Sequence, residues 1–167
     1  KLSKLNYALR IITRNSTIKT VRTVYFANVH SVLKYGIIMW GQAPEAKQTF
    51  KLRKRIIQTI TNTKRTESCR PQFKKLNILP LPCIYIYEVL MFVKKNLINN
   101  NTPYKFNSNL HSYNTRQAYN LHQPLCTSTL CQKGTFSTGI QFFNKLPIHL
   151  RNITGIHIFK NKLKPVS

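Results

Sequence analysis

Carboxylates are the scarcest chemical resource in this chain of 167 residues. Glu45, Glu67 and Glu88 are its only acids, and no Asp occurs. Metal-assisted phosphoryl transfer needs clustered carboxylates to hold its cations. Three widely spaced Glu are a poor supply, so this chain by itself is not expected to polymerise or cut nucleic acid. The thiols are also quiet. Cys69 and Cys83 lie far apart, and Cys126 and Cys131 miss the tight Cys-x-x-Cys spacing of a structural zinc site. His122 and His149 would complete such a site with Cys126 and Cys131; buried or free thiols are the competing expectation. Asn15-Ser16-Thr17, Asn100-Asn101-Thr102 and Asn152-Ile153-Thr154 match the glycosylation triplet, as chance matches do in an Asn-rich chain.

Cations are abundant. There are 27 Lys and Arg against 3 acids, a formal net charge of +24. Free of a partner, such a chain repels itself. On a polyanion it gains by releasing condensed counterions, and a protein of this kind covers roughly 6–10 phosphates, with affinity that falls steeply as salt rises. The charge is concentrated between residues 47 and 75. Lys51, Arg53, Lys54 and Arg55 are the leading candidates for phosphate contacts, followed by Lys64, Arg65, Lys74 and Lys75. The competing reading is a solvated basic surface, although solubility alone does not need so large an excess. An anionic membrane surface is a weaker third option. No run reaches the roughly 18 apolar residues of a membrane span.

The elements that must position these residues read as mainly α. Leu2, Leu5, Leu9 and Ile12 recur on one helical face, with Lys4, Arg10 and Arg14 mostly off it. Asn15-Ser16 breaks the pattern and offers capping side chains. Ile18, Val21, Tyr25, Val29 and Val32 predict a second helix, with Gly36 as its terminator. Residues 37–40 are too short for a helix of their own and read as a buried turn or extended plug. A third helix is expected from about Glu45 to Thr61, with Leu52, Ile56, Ile57 and Ile60 apolar and the cations crowding the remainder. Short loops between these helices predict nearly antiparallel packing.

Residues 62–80 read as irregular. "IYIYEVLMFV", Ile84 to Val93, suits strand by composition and buried helix by length and flanks; Pro82 in a first turn and Lys94-Lys95 near the end favour helix. Asn99 to Pro103 is a break, and 99–135 is polar with scattered aromatics, a loosely ordered connection. Ile140, Phe143 and Leu146, then Ile156, Phe159 and Leu163, space like two short helices. The expected organisation is a helical bundle over 1–63, a connector with a buried helix over 64–98, a polar linker over 99–135 and a helical tail over 136–167. The chain opens at Lys1 without an initiator Met, as a fragment or processed piece would. The absence of a leader pattern points to a reducing compartment.

Four stretches occur in a recognisable order: "VRTVYFANVHSVLKYGIIMWG" from Val21; "LRKRIIQTIT" from Leu52; "CRPQFKKLNILPLPCIYIYEVLMFVKKN" from Cys69; and "HSYNTR" from His111, followed by "GIQFFNKLPIHLRN" from Gly139 and "FKNKLK" from Phe159. Together they resemble the C-terminal region of reverse transcriptases of non-LTR, LINE-like (jockey-type) retrotransposons. The resemblance implies that polymerase fingers and palm precede this chain. The palm's Phe/Tyr-x-Asp-Asp motif, and the Mg it holds, are not expected here because the chain has no Asp. The first three helices would look like the thumb, with the Tyr35-Gly36 elbow and Trp40 turning the chain and locking thumb helices together. Core packing is the main expectation for Trp40, and base stacking the minor one. A thumb grips the RNA–DNA template–primer hybrid by its backbone. In "HSYNTR", Tyr113 would stack or pin the linker, and Arg116 would hold a phosphate or base edge.

The resemblance also implies a ribonucleoprotein found in nucleus and cytoplasm, with RNA, DNA and the upstream palm and fingers as partners and no membrane. The alternatives are an independent basic RNA-binding module, a non-functional retroelement relic, and a basic protein that binds a membrane surface or host factor.

Overall fold

The computed structural model describes residues 2–99, 103–113 and 115–163. The Asn100-Asn101-Thr102 triplet, Asn114 of "HSYNTR" and Lys164 lie outside the described residues. The architecture is mainly α. Among the described residues the only β pairing is one isolated bridge, Phe106 to Leu121. The chain divides into two compact units, Lys1–Ile84 and Tyr85–Ser167.

In the first unit, α1 (Leu2–Asn15) buries Leu9, and α5 (Ala46–Thr61) packs against it. Between them, α2 (Ile18–Val24) runs into a π-helical segment (Tyr25–His30) and then α3 (Ser31–Lys34). Thr17, not Asn15 or Ser16, caps α2: its hydroxyl accepts from the Thr20 N–H at 3.4 Å. The π segment corrects the expected buried face. Val21, Tyr25, Val29 and Leu33 are buried, four residues apart, while Ile18 and Val32 are exposed. In a regular α-helix of about 3.6 residues per turn, each step of four overshoots by about 40°. The wider i→i+5 winding of a π segment takes up that drift and keeps the stripe on one side.

α3 ends just before Gly36, whose φ of 63° is left-handed and suits Gly. The residues after it do not form a plug. Ile37–Trp40 is a single helical turn, α4, with Ile37 buried but Met39 85% exposed. The Trp40 indole N–H donates to the Tyr35 carbonyl at 3.1 Å, which closes the elbow on itself. The Tyr35 ring is 86% exposed and locks nothing.

Residues 62–80 are more ordered than their polarity predicts. α6 (Arg70–Lys75) has Pro71 in its first turn and packs against α5. Cys69, Phe73, Leu76 and Ile78 are buried, so this segment belongs to the first core. The Arg22 side chain secures it by donating from Nε to the Leu76 carbonyl at 2.7 Å.

"IYIYEVLMFV" is helical, within α7 (Leu81–Ile98). Its Tyr85-to-Ile98 portion opens the second unit, whose core holds Leu90, Val93, Tyr104, Leu121, Ile140, Phe143 and Phe159. Lys94 does not end the helix. It is buried, donates from Nζ to the Arg151 carbonyl at 2.8 Å and lies over the Phe143 and Phe159 rings. Burial pushes its pKa down.

The second unit also contains the short helices α8 (Thr129–Gln132), α9 (Thr135–Asn144), α10 (Ile148–Arg151) and α11 (Ile156–Leu163). The spacings of Ile140, Phe143 and Phe159 place them in the core as expected. Within the segment expected to be a loose connection, the described residues around Tyr104 and 118–121 are anchored. Tyr104, Ala118 and Leu121 are buried. Asn144 exchanges two hydrogen bonds with the Leu121 backbone at 2.8 and 2.9 Å. The Arg151 guanidinium donates to Asn120 Oδ1 and to the carbonyls of Leu146 and Asn144, each at 2.6 Å. A polar segment without periodicity is thus fixed by two side chains some 20–30 residues away in sequence.

Candidate nucleic-acid interface

The cations of α5 divide by helical position. Ile56, Ile57 and Ile60 are buried, and Arg53, three residues before Ile56, falls on the same face. Arg53 is fully buried, so it does not stand among the solvent-facing phosphate contacts that the sequence suggested. Its Nε–H donates to the Tyr25 hydroxyl at 2.7 Å, and its guanidinium carbon lies 5.5 Å from the centre of the Phe73 ring. Nη1 and Nη2 have no partner. The same region leaves His30 Nδ1 and Gln72 Oε1 unpaired. Burial first, and the nearby positive charges of Arg53 and Lys34 next, depress the His30 pKa. Burial raises the Tyr25 pKa against the opposing pull of Arg53.

The other candidates face outward. Lys51 and Arg55 are exposed and Lys54 is half-buried; Lys64, Arg65, Lys74 and Lys75 are all exposed. In the second unit Arg116 is exposed and borders a shallow groove with Asn107, His111 and Gln117. Tyr113 is also exposed, so its ring does not pin the segment, and stacking stays open to it.

The structure adds two arginines that the sequence reading left aside. A cleft of about 500 Å³ lies between α1 and the end of α5, lined by Arg10 and Arg14 of α1, Arg55 of α5 and Arg65 of the following loop. Arg10 and Arg14 are four apart and therefore share one side of α1. Two features build the cleft. The Thr59 hydroxyl lies 3.2 Å from Asn6 Oδ1 on α1 and 2.9 Å from the Arg55 carbonyl on its own helix, so its one proton is shared between the two. The two N–H groups of the buried Gln58 amide are shared among the carbonyls of Lys64, Arg65 and Glu67 at 3.1–3.4 Å. Asn62, left-handed at φ 51°, ends α5 and lets the loop fold back to those bonds. The four-residue spacing of Arg10 and Arg14 is visible in sequence; their approach to Arg55 and Arg65 depends on long-range packing.

Both helices end near this cleft, and each C-terminus carries about half a negative charge. Four guanidinium groups outweigh two such ends by about three charges. None of the four is paired with a carboxylate among the described residues. The cleft is therefore a concave cationic site suited to an anion with several oxygens.

Cys126 and Cys131 bring their sulfurs to 2.7 Å as free thiols. Among the described residues no third His, Cys, Asp or Glu joins them or any other pair in a group able to hold a metal. No helix of the described residues is long and apolar enough to cross a membrane. The chain matches no protein-family model, no curated protein and no solved structure.

Proposed function

We propose that this chain is the nucleic-acid-binding C-terminal part of a non-LTR retrotransposon reverse transcriptase, and that its first unit grips template–primer hybrid by the phosphates. Its own carboxylates are too few for catalysis, so polymerisation would rest on an upstream palm. The observation that carries the reading is the cluster of outward-facing lysines on two helices that pack together: Lys51 and the half-buried Lys54 on α5, and Lys74 and Lys75 on α6. Backbone contacts of this kind hold a duplex without reading its sequence.

The test is a salt titration of RNA–DNA hybrid binding by the full chain. Changing Lys51, Lys54, Lys74 and Lys75 together to Gln should weaken binding and flatten the log–log salt slope by about 3–4, at roughly 0.9 per lost phosphate contact. An unchanged slope would remove the assignment. Anionic vesicles make the control: binding to them as tight as to the hybrid would favour a membrane-surface protein instead.

A further inference from the structure

We infer that the four-arginine cleft between α1 and the end of α5 is a second binding site, one that takes the phosphates of an unpaired nucleic-acid strand. The inference rests on the nucleic-acid reading above and gives the cleft a ligand different from the hybrid that the lysine-rich surface would grip.

Shape argues first. A partly open cleft of about 500 Å³ falls in the range of roughly 300–1,000 Å³ typical of sites for one small ligand. One or two nucleotide units are of that order, whereas a duplex can only lie across the opening. Charge argues next. Arg10, Arg14, Arg55 and Arg65 approach from three separate segments, and guanidinium forks match phosphate oxygens in pairs. The other lining residues are amides and hydroxyls: Asn6, Thr13, Gln58, Thr59, Asn62 and Thr63. No aromatic ring lines it, so the site lacks the stacking platform that holds bases. What it can recognise is phosphate and sugar. Finally, the loop bearing Arg65 is fixed before any ligand arrives, because the buried Gln58 amide already holds three of its carbonyls. A pre-formed wall lowers the ordering cost of binding.

Either a terminal phosphate or internal phosphodiesters would satisfy this chemistry. The experiment compares three labelled probes on the full chain: a short single-stranded RNA with a 5′-hydroxyl, the same RNA with a 5′-phosphate, and an RNA–DNA hybrid. Arg10→Gln/Arg14→Gln is the main variant. Arg65→Gln is the second, so that the result does not hang on one helix; all three residues are exposed, and a circular dichroism spectrum checks the fold. The expected result is roughly a tenfold or greater loss of single-strand affinity in the double variant. Its salt slope should be shallower by about 1.4, at about 0.7 per contact to a single strand. Hybrid binding should change far less. A 5′-phosphate preference in the wild type that the variant loses assigns the terminal phosphate; equal binding of the two RNAs assigns the internal ones. Single-strand binding that survives in both variants overturns the inference and leaves the proposed function standing. Equal losses on single strand and hybrid overturn it too, since the cleft would then belong to the duplex surface. A wild type that binds no probe overturns both readings.

Discussion

Arg53 sets up the sharpest energetic question in the first unit. A guanidinium is fully buried with one hydrogen bond, to the Tyr25 hydroxyl, one aromatic face, Phe73, and two nitrogens without partners. Burying an ion costs several kcal/mol even after relaxation. Against this stand a charge-assisted hydrogen bond of about 1.5–3 kcal/mol and a cation–π contact of about 0.5–2 kcal/mol. The favourable terms together do not exceed the cost. Arg53→Met, which keeps much of the volume, should leave stability unchanged or raise it by about 1 kcal/mol. Tyr25→Phe alone should lower it by about 2 kcal/mol, because it strips the charge of its remaining acceptor. The double variant removes both the charge and the stranded hydroxyl and should be the most stable, by about 1–2 kcal/mol over the wild type.

The assay is a double-mutant cycle by urea denaturation, with the midpoint and slope recorded for all four proteins. These values imply a coupling of about 3 kcal/mol between positions 25 and 53, within a range of about 2–4 kcal/mol. The reasoning fails if Arg53→Met costs more than about 2 kcal/mol, or if the coupling is under about 0.5 kcal/mol. Either result would mean that the two free nitrogens are satisfied in solution. Hybrid affinity should be the same in Arg53→Met and wild type, since a buried guanidinium reaches no phosphate.

His30 and Gly139 supply two further outcomes. Because the folded-state pKa of His30 is depressed, its neutral form is stabilising above the unfolded value near 6.5; that stability is lost as pH falls below it toward the folded value. The urea midpoint should drop across that window with a slope of at most one proton, and His30→Leu should flatten the drop; an identical profile in the variant would refute the assignment. In α9, a Cβ at Gly139 would stand 2.7 Å from Val93 Cγ2, a short side chain in the buried core. Gly139→Ala should therefore destabilise by up to about 2 kcal/mol, an overpacking cost of about 1–3 kcal/mol reduced by about 1 kcal/mol for the better helix propensity of Ala. A more stable variant in thermal melting would show that Val93 yields readily.

How much of this is legible in sequence depends on how local each cause is. Leu9 on α1, Ile56, Ile57 and Ile60 on α5, and Ile140 with Phe143 on α9 can be read from spacing, because an amphipathic helix announces its inner face every three or four residues. Gly36 can be read from residue type, because few others accept a left-handed turn. The failures share another cause. Arg53 reads as part of the charged side of α5 when charge outweighs position, yet its place three residues before Ile56 already puts it on the inner face. Leu33 displaces Val32 because the π segment changes the winding, and no periodicity template allows for that. Order at residues 118–121 is invisible in sequence because its anchors, Asn144 and Arg151, act on residues 120 and 121 from a distant part of the chain. The cleft follows the same logic. Arg10, Arg14, Arg55 and Arg65 are four ordinary surface cations until Thr59 meets Asn6 and Gln58 folds the loop. A count of charges makes polyanion binding worth testing, but where the charge converges is set by neutral Asn, Gln and Thr side chains. Substituting Gln58 should therefore disturb the cleft more than its lack of charge suggests.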